Sequence, residues 1–144
     1  ISEQLSRVLF RSISACTKLE LLELYDTILH DGVLDLHTLT CLISIKLGLI
    51  IVSEENRLHC CTINGIAQLE KLEKLDLLNM KLCMRQHDGV PEPSRLMRLK
   101  YIRMTEVTMC EKCSSSLCTI ISGCGHLCNL ELDTVTLHDG TLDL

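Results

Sequence analysis

The sequence predicts a right-handed α/β solenoid, in which about five parallel strands lie side by side and are joined by alternating turn and helical linkers. Three observations lead to this prediction. A leucine-rich hexapeptide recurs along the chain, the two ends of the chain align with each other without a gap, and helical hydrophobic spacing precedes some of the hexapeptides. A chain of 144 residues can bury a substantial core. We therefore expect residues 1–144 to form a single domain.

Five strand-like hexapeptides, which we call copies, give the positions of the strands. Each copy has an aliphatic residue or Met at its first, fourth and sixth positions, as in LELLEL and LKYIRM. The copies begin at Leu19, Leu42, Leu72, Leu99 and Leu127. Successive side chains of a strand point to opposite faces. We therefore expect the fourth and sixth residues in a core and the third, fifth and seventh residues on the opposite face.

The copies are organised in pairs. Successive copies begin 23, 30, 27 and 28 residues apart, whereas alternate copies, counted from the first, begin 53 and 55 residues apart. Residues 2–36 align with residues 110–144 without a gap, and seventeen of the thirty-five aligned positions are identical. This identity indicates a tandem duplication with a double unit of about 54 residues.

One type of linker carries the triplet His-Asp-Gly, at 30–32, 87–89 and 138–140. Asp-Gly favours a turn, because Gly adopts positive φ and Asp can accept a hydrogen bond from the backbone ahead of it. A shared metal site is not expected. Successive triplets would lie two strands apart, about 10 Å, whereas zinc holds its ligands at about 2 Å.

The other type of linker has helical spacing. Ser53 with two following acidic residues is a typical helix start. We expect helices near 3–15, 54–68 and 111–122. In the first helix Leu5, Leu9, Phe10 and Ile13 recur at helical spacing, so they are expected to face the strands.

A family resemblance follows from these motifs. Residues 19–29 match the pattern L-x-x-L-x-L-x-x-[N/C/T]-x-L of a leucine-rich repeat. With repeats near 27–28 residues and a helical second linker, essentially the whole chain resembles the ribonuclease-inhibitor type. That type forms the C-terminal repeats of cytosolic nucleotide-binding leucine-rich-repeat (NOD-like) receptors. The resemblance implies a horseshoe segment with its strands on the concave face and its linkers on the convex face.

The resemblance also implies a function without catalysis. It favours a protein-interaction module, the ligand-sensing or autoinhibitory repeat region of a cytosolic innate-immune receptor that binds a protein or a pathogen-derived ligand. The alternative is a substrate-recruiting or inhibitor solenoid, as in ubiquitin-ligase receptors or nuclease inhibitors. The sequence contains no Gly-rich phosphate loop, G-x-S-x-G or H-E-x-x-H motif. We therefore expect neither an enzyme nor a cofactor.

The outward residues of the strands are the candidate partner-binding residues. They form three columns across the expected sheet, from the third, fifth and seventh residues of each copy. The candidates are Leu21, Glu23, Tyr25, Ser44, Lys46, Lys74, Asp76, Leu78, Tyr101, Arg103, Thr105, Asn129, Glu131 and Asp133.

The middle column alternates in charge, and its members are Glu23, Lys46, Asp76, Arg103 and Glu131. Neighbouring strands lie about 4.8 Å apart, so we expect a ladder of cross-strand ion pairs. Each exposed pair would contribute roughly 0–1 kcal/mol. The ladder would relieve repulsion within the stack and could also steer a partner.

Both tyrosines of the chain, Tyr25 and Tyr101, are expected on this face. Tyr is enriched at interface hot spots because it offers a large contact area at low entropic cost. Each ring either contacts a partner or covers a neighbouring Gly or Ser.

Ten cysteines suggest a rival function, a zinc- or thiol-dependent site in residues 110–128, where CxxC is followed by CGHLC. The alignment of the two ends favours a structural role instead. It places Cys113 on Leu5 and Cys124 on Cys16, positions that we expect in the core. Buried cysteine behaves as a small hydrophobic residue, so we predict no metal site.

Charge and hydropathy exclude two further classes of partner. The formal net charge is −5 and the pI is near 5.6, whereas a nucleic-acid-binding surface is basic. The longest apolar run has six residues, 47–52, too few to span a membrane. A cytoplasmic location is expected. The chain begins inside an expected helix, so we interpret it as a fragment that associates end to end through uncovered apolar layers.

Overall fold

The computed structural model describes residues 3–26, 28–29, 36–48, 51–52, 58–59, 65–83 and 95–137. Within these ranges the chain is an α/β protein built on a parallel sheet. Its helices are α1 (Glu3–Ser14) and α2 (Glu111–Gly123). Its strands are β1 (Leu21–Tyr25), β2 (Ile28–Leu29), β3 (Ser44–Gly48), β4 (Ile51–Val52), β5 (Leu58–His59), β6 (Lys74–Cys83), β7 (Tyr101–Met109), β8 (Asn129–Asp133) and β9 (Thr136–Leu137).

The five expected strands are confirmed, and each begins two residues after the first residue of its copy. They pair in the order β1-β3-β6-β7-β8, and every pairing is parallel. The short strands were not expected. β2 pairs with β4, while β5 and β9 pair with the C-terminal parts of β6 and β7. All five copies have a second pair of strand residues after the hexapeptide, at their tenth and eleventh positions.

One hydrogen-bond pattern recurs at the start of successive strands. The backbone carbonyl of Glu20 accepts from the N–H groups of Ile43 and Ser44 at 2.8 and 3.1 Å. The carbonyls of Ile43, Glu73 and Lys100 each accept in the same way from the next copy. Each copy is thereby held in register with the one before it. A slip by one residue would turn the leucines to the opposite face of the sheet.

Beneath the sheet, the fourth and sixth residues of the copies form the core. In the interior strands Ile45, Leu47, Ile102 and Met104 are completely buried. A second row of core residues lies three residues before four of the five copies, at Leu39, Leu69, Leu96 and Cys124. Burial was expected of Cys124 and of its counterpart Cys16, but Cys16 is exposed, so the expectation is wrong there. The other three positions were not expected, although every copy has an aliphatic residue or Cys at this position.

Two of the three expected helices are confirmed, as α1 and α2, whereas the one expected near 54–68 is wrong at residues 58–59 and lies outside the described residues at 54–57 and 60–64. Residues 58–59 form β5, which pairs with Leu82 and Cys83, and residues 65–67 are helical. The long strand β6 offers backbone hydrogen bonds at its C-terminal end, and pairing with them overrides the local helical pattern. Ser53 and the three His-Asp-Gly triplets lie outside the described residues.

The expectation that Leu5 and Leu9 face the strands is also wrong, because their exposed fractions are 62% and 41%. Phe10 and Ile13 do pack against the core as half-buried side chains. β1 is an end of the sheet order, and no described strand lies beyond it to cover the first turns of α1.

No helix in the described ranges combines the length and the hydropathy that a membrane span requires.

The eighth residue of four copies adopts a left-handed conformation, with φ of 49° at Asp26 and Asn79 and 54° at Glu106 and Thr134. None of the four is glycine. In β6 and β7 this residue lies within the strand, between its two paired segments. A left-handed residue with a Cβ costs roughly 1–2 kcal/mol, so this repeated conformation is a source of strain.

We predict that Glu106→Gly raises the free energy of unfolding by about 0.5–1 kcal/mol, because glycine adopts positive φ without strain. Urea unfolding followed by circular dichroism would measure the change. Thr105→Gly, one residue earlier in the extended part of β7, is the matched control and should be destabilising. Equal losses in both variants would contradict the prediction.

Candidate protein-interaction face

The strand register brings the candidate residues together as the sequence predicts. We call the surface formed by their three columns the outer sheet face. The first column is Leu21, Ser44, Lys74, Tyr101 and Asn129. The middle column is Glu23, Lys46, Asp76, Arg103 and Glu131. The third column is Tyr25, Gly48, Leu78, Thr105 and Asp133.

Most of this face is open to solvent, but two positions are not. Leu21 and Tyr25 on β1 expose 55% and 44% of their surface. Asp76 exposes only 6%, and Gly48 is buried. The expectation that every candidate residue is exposed is therefore wrong at Asp76.

Asp76 occupies the centre of the face, because β6 is the middle strand and Asp76 belongs to the middle column. Its flanking neighbours are Lys46 on β3 and Arg103 on β7, long side chains beside a short one. Sequence alternation alone places Asp76 outward. Its burial arises only when the neighbouring strands surround it.

Burial leaves one oxygen of the Asp76 carboxylate without a hydrogen bond. Its Oδ1 atom is buried and accepts no hydrogen bond. Desolvation raises the pKa of Asp76 above 3.8, although the positive charges of Arg103 and Lys46 oppose this shift and Glu131 adds to it. A buried acceptor without a donor costs about 1–3 kcal/mol. The centre of the face therefore holds a carboxylate whose charged form is disfavoured.

Tyr25 covers Gly48, which is the alternative that the sequence left open for this ring. A Cβ atom added to Gly48 would lie 2.7 Å from Cδ1 of Tyr25. With the ring in this position, a Cβ atom at residue 48 would overlap it, so any larger residue there must displace the ring. The ring nevertheless keeps part of its surface exposed, so one residue both packs and presents contact area.

Lys46 links Tyr25 to the middle column. Its ammonium group donates a hydrogen bond to the side chain of Tyr25, and this contact raises the pKa of Lys46 above 10.5, with smaller contributions from the negative charges of Glu23 and Asp76. A cation that interacts with Tyr25 thus lies next to the Asp76 carboxylate.

The expected charge ladder forms only in part. Nε of Arg103 lies 3.7 Å from Oε2 of Glu131, and both side chains are about half exposed. A second cross-strand pair, Lys100 with Glu73 at 3.7 Å, was not expected and lies just before β7 and β6. Exposed pairs of this kind contribute roughly 0–1 kcal/mol. The other charges of the middle column influence one another electrostatically without close contact, as Lys46 and Arg103 do at Asp76.

The cysteines of residues 110–128 do not converge on a metal site. Cys113 and Cys124 are buried in the core, whereas Cys128 is exposed. In the described ranges no group of three or more His, Cys, Asp or Glu side chains is placed to hold a metal ion. Burial raises the pKa of Cys118 and Cys124. A reactive thiol requires the opposite shift.

Comparison of the chain with protein-family models, characterised proteins and solved structures finds no match.

We predict that Gly48→Ala destabilises the protein by about 1–3 kcal/mol, because the added methyl group overlaps the Tyr25 ring. In the background of Tyr25→Ala the same substitution should be nearly neutral. Urea unfolding of the four proteins of this double-mutant cycle gives the coupling energy. Additive effects would show that the ring does not pack on Gly48.

We predict that Asp76→Asn reduces the pH dependence of stability. Because the folded state raises the pKa of Asp76, it holds the proton more tightly than the unfolded state. The contribution of Asp76 to wild-type stability therefore falls as the pH rises from 3.8 toward neutrality. Asparagine cannot ionise, so the variant should lose this part of the slope in unfolding experiments between about pH 4 and pH 7.

The control for this experiment is Asp133→Asn, which removes an exposed carboxylate from the neighbouring column. A slope that changes equally in both variants would contradict a special role for the buried carboxylate.

Proposed function

We propose that the chain is a leucine-rich-repeat module that binds a protein partner on its outer sheet face and performs no catalysis. The observation that carries the proposal is the register of five parallel strands, which gathers outward side chains into one continuous surface. The buried face of the same strands carries Leu, Ile and Met side chains that pack in the core. Along each strand, the residues proposed to bind a partner thus alternate with the residues that pack in the core.

The composition of the outer face supports recognition of a protein. Leu21 and Tyr25 offer exposed apolar area, and Tyr101 lies half buried in the first column. Charged side chains of both signs surround these residues on the outer sheet face. A mixture of aromatic and apolar contacts with a charged surround is typical of protein interfaces. The cationic residues next to Asp76 are Lys46, Lys74 and Arg103, whereas Glu23, Glu131 and Asp133 lie on the end strands.

The proposed architecture and cellular role follow from the resemblance to ribonuclease-inhibitor-type leucine-rich repeats. In this proposal the copies stack as a right-handed solenoid, the outer sheet face is concave, and the linkers lie on the convex side. The module would then serve as the ligand-sensing or autoinhibitory region of a cytosolic innate-immune receptor. The repeated strand starts and the repeated left-handed residue support equivalent units. Such units are what a solenoid requires.

Site-specific photo-crosslinking tests the proposal directly. A photoreactive phenylalanine analogue replaces Tyr101 on the outer face or, as control, Met97, which is 73% exposed outside the three columns. Each protein is irradiated in a lysate of the source cells, and the adducts are identified by mass spectrometry. We expect a defined protein adduct at position 101 that is missing at position 97. The same adducts at both positions, or none at 101, would contradict binding on this face.

The contribution of the aromatic residues is tested once the adduct is identified. We predict that Tyr101→Ala weakens binding of that protein by about tenfold, corresponding to roughly 1.4 kcal/mol. The melting temperature should change little, because the ring is only partly buried. Isothermal titration calorimetry measures the affinity, and Met97→Ala is the control. Unchanged affinity in Tyr101→Ala would place the contact elsewhere.

A further inference from the structure

Positive charge is concentrated on the three interior strands of the sheet, β3, β6 and β7. Residues 38–46, 68–76 and 95–103 lead into these strands and include their first three residues, and together they contain seven Lys and Arg against three Asp and Glu. The equivalent residues 15–23 and 123–131 at β1 and β8 contain one Lys against three Glu. The whole chain has a net charge of −5. The interior strands therefore carry a charge opposite in sign to that of the protein.

Two of the three carboxylates in the interior segments are already paired. Oε1 of Glu70 lies 3.8 Å from Nη1 of Arg95, and Oε1 of Glu73 lies 3.7 Å from Nζ of Lys100. Both pairs join neighbouring copies just before their strands or at the start of them. They leave one carboxylate, Asp76, for the five remaining cations of these segments.

The five remaining cations lie close together, and we call them the basic patch. Lys46 on β3 and Arg103 on β7 flank Asp76 in the middle column. Lys74 lies two residues before Asp76 on the same face of β6. The other two members occupy equivalent positions in neighbouring copies, directly before the first residue of each copy. The members of the basic patch are Lys46, Lys71, Lys74, Arg98 and Arg103.

Most of the donors of the basic patch are available to an incoming group. Lys71, Lys74 and Arg98 are exposed, and within the described ranges they form no ion pair. Oδ1 of Asp76 accepts no hydrogen bond, so neither of its flanking cations donates to that atom. The positive charge of the patch is therefore not neutralised by contacts with Asp76 Oδ1.

Acidic side chains limit the basic patch on several sides. Glu23 on β1 and Glu131 on β8 continue the middle column beyond Lys46 and Arg103. Each lies two strands from β6, which is about 10 Å. Along β7 the next charged residue after Arg103 is Glu106, which is exposed. A long polyanion such as a nucleic acid would meet these carboxylates, whereas a short acidic segment would not.

We propose that the basic patch binds a short acidic segment of the partner protein, whose Asp or Glu side chains accept hydrogen bonds from Lys46, Lys74 and Arg103. This inference rests on the proposed binding of a protein on the outer sheet face, and it names the chemistry of the part that contacts the centre of that face. The guanidinium group of Arg103 suits a carboxylate because it can donate two parallel hydrogen bonds to it. The lysines add point charges beside it.

Asp76 provides an internal test of the sign of the partner's charge. A carboxylate that approaches Lys46 and Arg103 also approaches Asp76, and like charges repel. Removing the charge of Asp76 should therefore strengthen the binding of an acidic segment and weaken the binding of a basic one. Because a gain in affinity cannot come from misfolding, this variant is informative whatever the other substitutions do to stability.

Fluorescence anisotropy of the 144-residue chain with fluorescein-labelled peptides tests the proposal. The peptides share one scaffold of Gly and Ser and carry Glu, Gln or Lys at alternate positions, and a labelled oligothymidine of comparable length is a further probe. We expect the Glu peptide to bind more tightly than every other probe. Its affinity should fall between about 50 mM and about 300 mM salt, because salt screens exposed charges.

Three variants locate the site of peptide binding. Lys74→Glu should weaken binding of the Glu peptide by about tenfold, because it reverses a charge of the basic patch. Lys81→Glu is the matched control, since Lys81 is exposed on the C-terminal part of the same strand, outside the patch, and should bind like the wild type. Asp76→Asn should strengthen binding a few-fold.

Several results would overturn the proposal. These are a Glu peptide that binds no better than the Gln peptide, an oligothymidine that binds more tightly than the Glu peptide, equal losses in Lys74→Glu and Lys81→Glu, and weaker binding by Asp76→Asn. Competition with the photo-crosslinked adduct separates this proposal from the proposed function. An adduct at position 101 that persists in excess Glu peptide would retain the outer sheet face as a binding surface and exclude its acidic partner. Peptide binding without any adduct at position 101 would retain the basic patch and contradict the proposed function.

Discussion

The shared carbonyl at the start of each strand is the interaction on which the rest of the structure depends. One backbone oxygen of each copy accepts two N–H groups of the next, from Glu20 through Lys100. Because side chains alternate along a strand, this fixed register decides simultaneously which residues are buried and which are presented. The aliphatic core and the outer sheet face are therefore two consequences of the same hydrogen bonds.

The outer sheet face gains its character from neighbours in space more than from any single residue. Tyr25 lies over Gly48, Lys46 donates to Tyr25, and the surrounding strands bury Asp76. This arrangement places a disfavoured carboxylate next to cations at the centre of an otherwise open surface.

The strands at the two ends of the described sheet order, β1 and β8, obey the same rules as the interior strands. Strand pairing, the turns and the hydrogen bonds of the cysteine thiols before β1 and β8 are equivalent. What differs is exposure: Leu5 and Leu132 are 62% and 37% exposed, whereas the equivalent Cys113 and Met104 are buried. In a repeat protein each unit contacts mainly its neighbours.

The sequence by itself determined the five strands, their register and two helices. It also determined which residues form the three columns. These features depend on hydrophobic periodicity and on the duplication, and both can be read directly from the sequence. It failed at residues 58–59, where pairing with the long strand β6 overrode a helical pattern. It also failed at Leu5 and Leu9, which carry the right spacing but no covering layer. Only the tertiary structure decided that Asp76 is buried and that Tyr25 covers Gly48. Burial and ring contacts depend on side chains brought together from separate copies, and no single stretch of sequence contains that information.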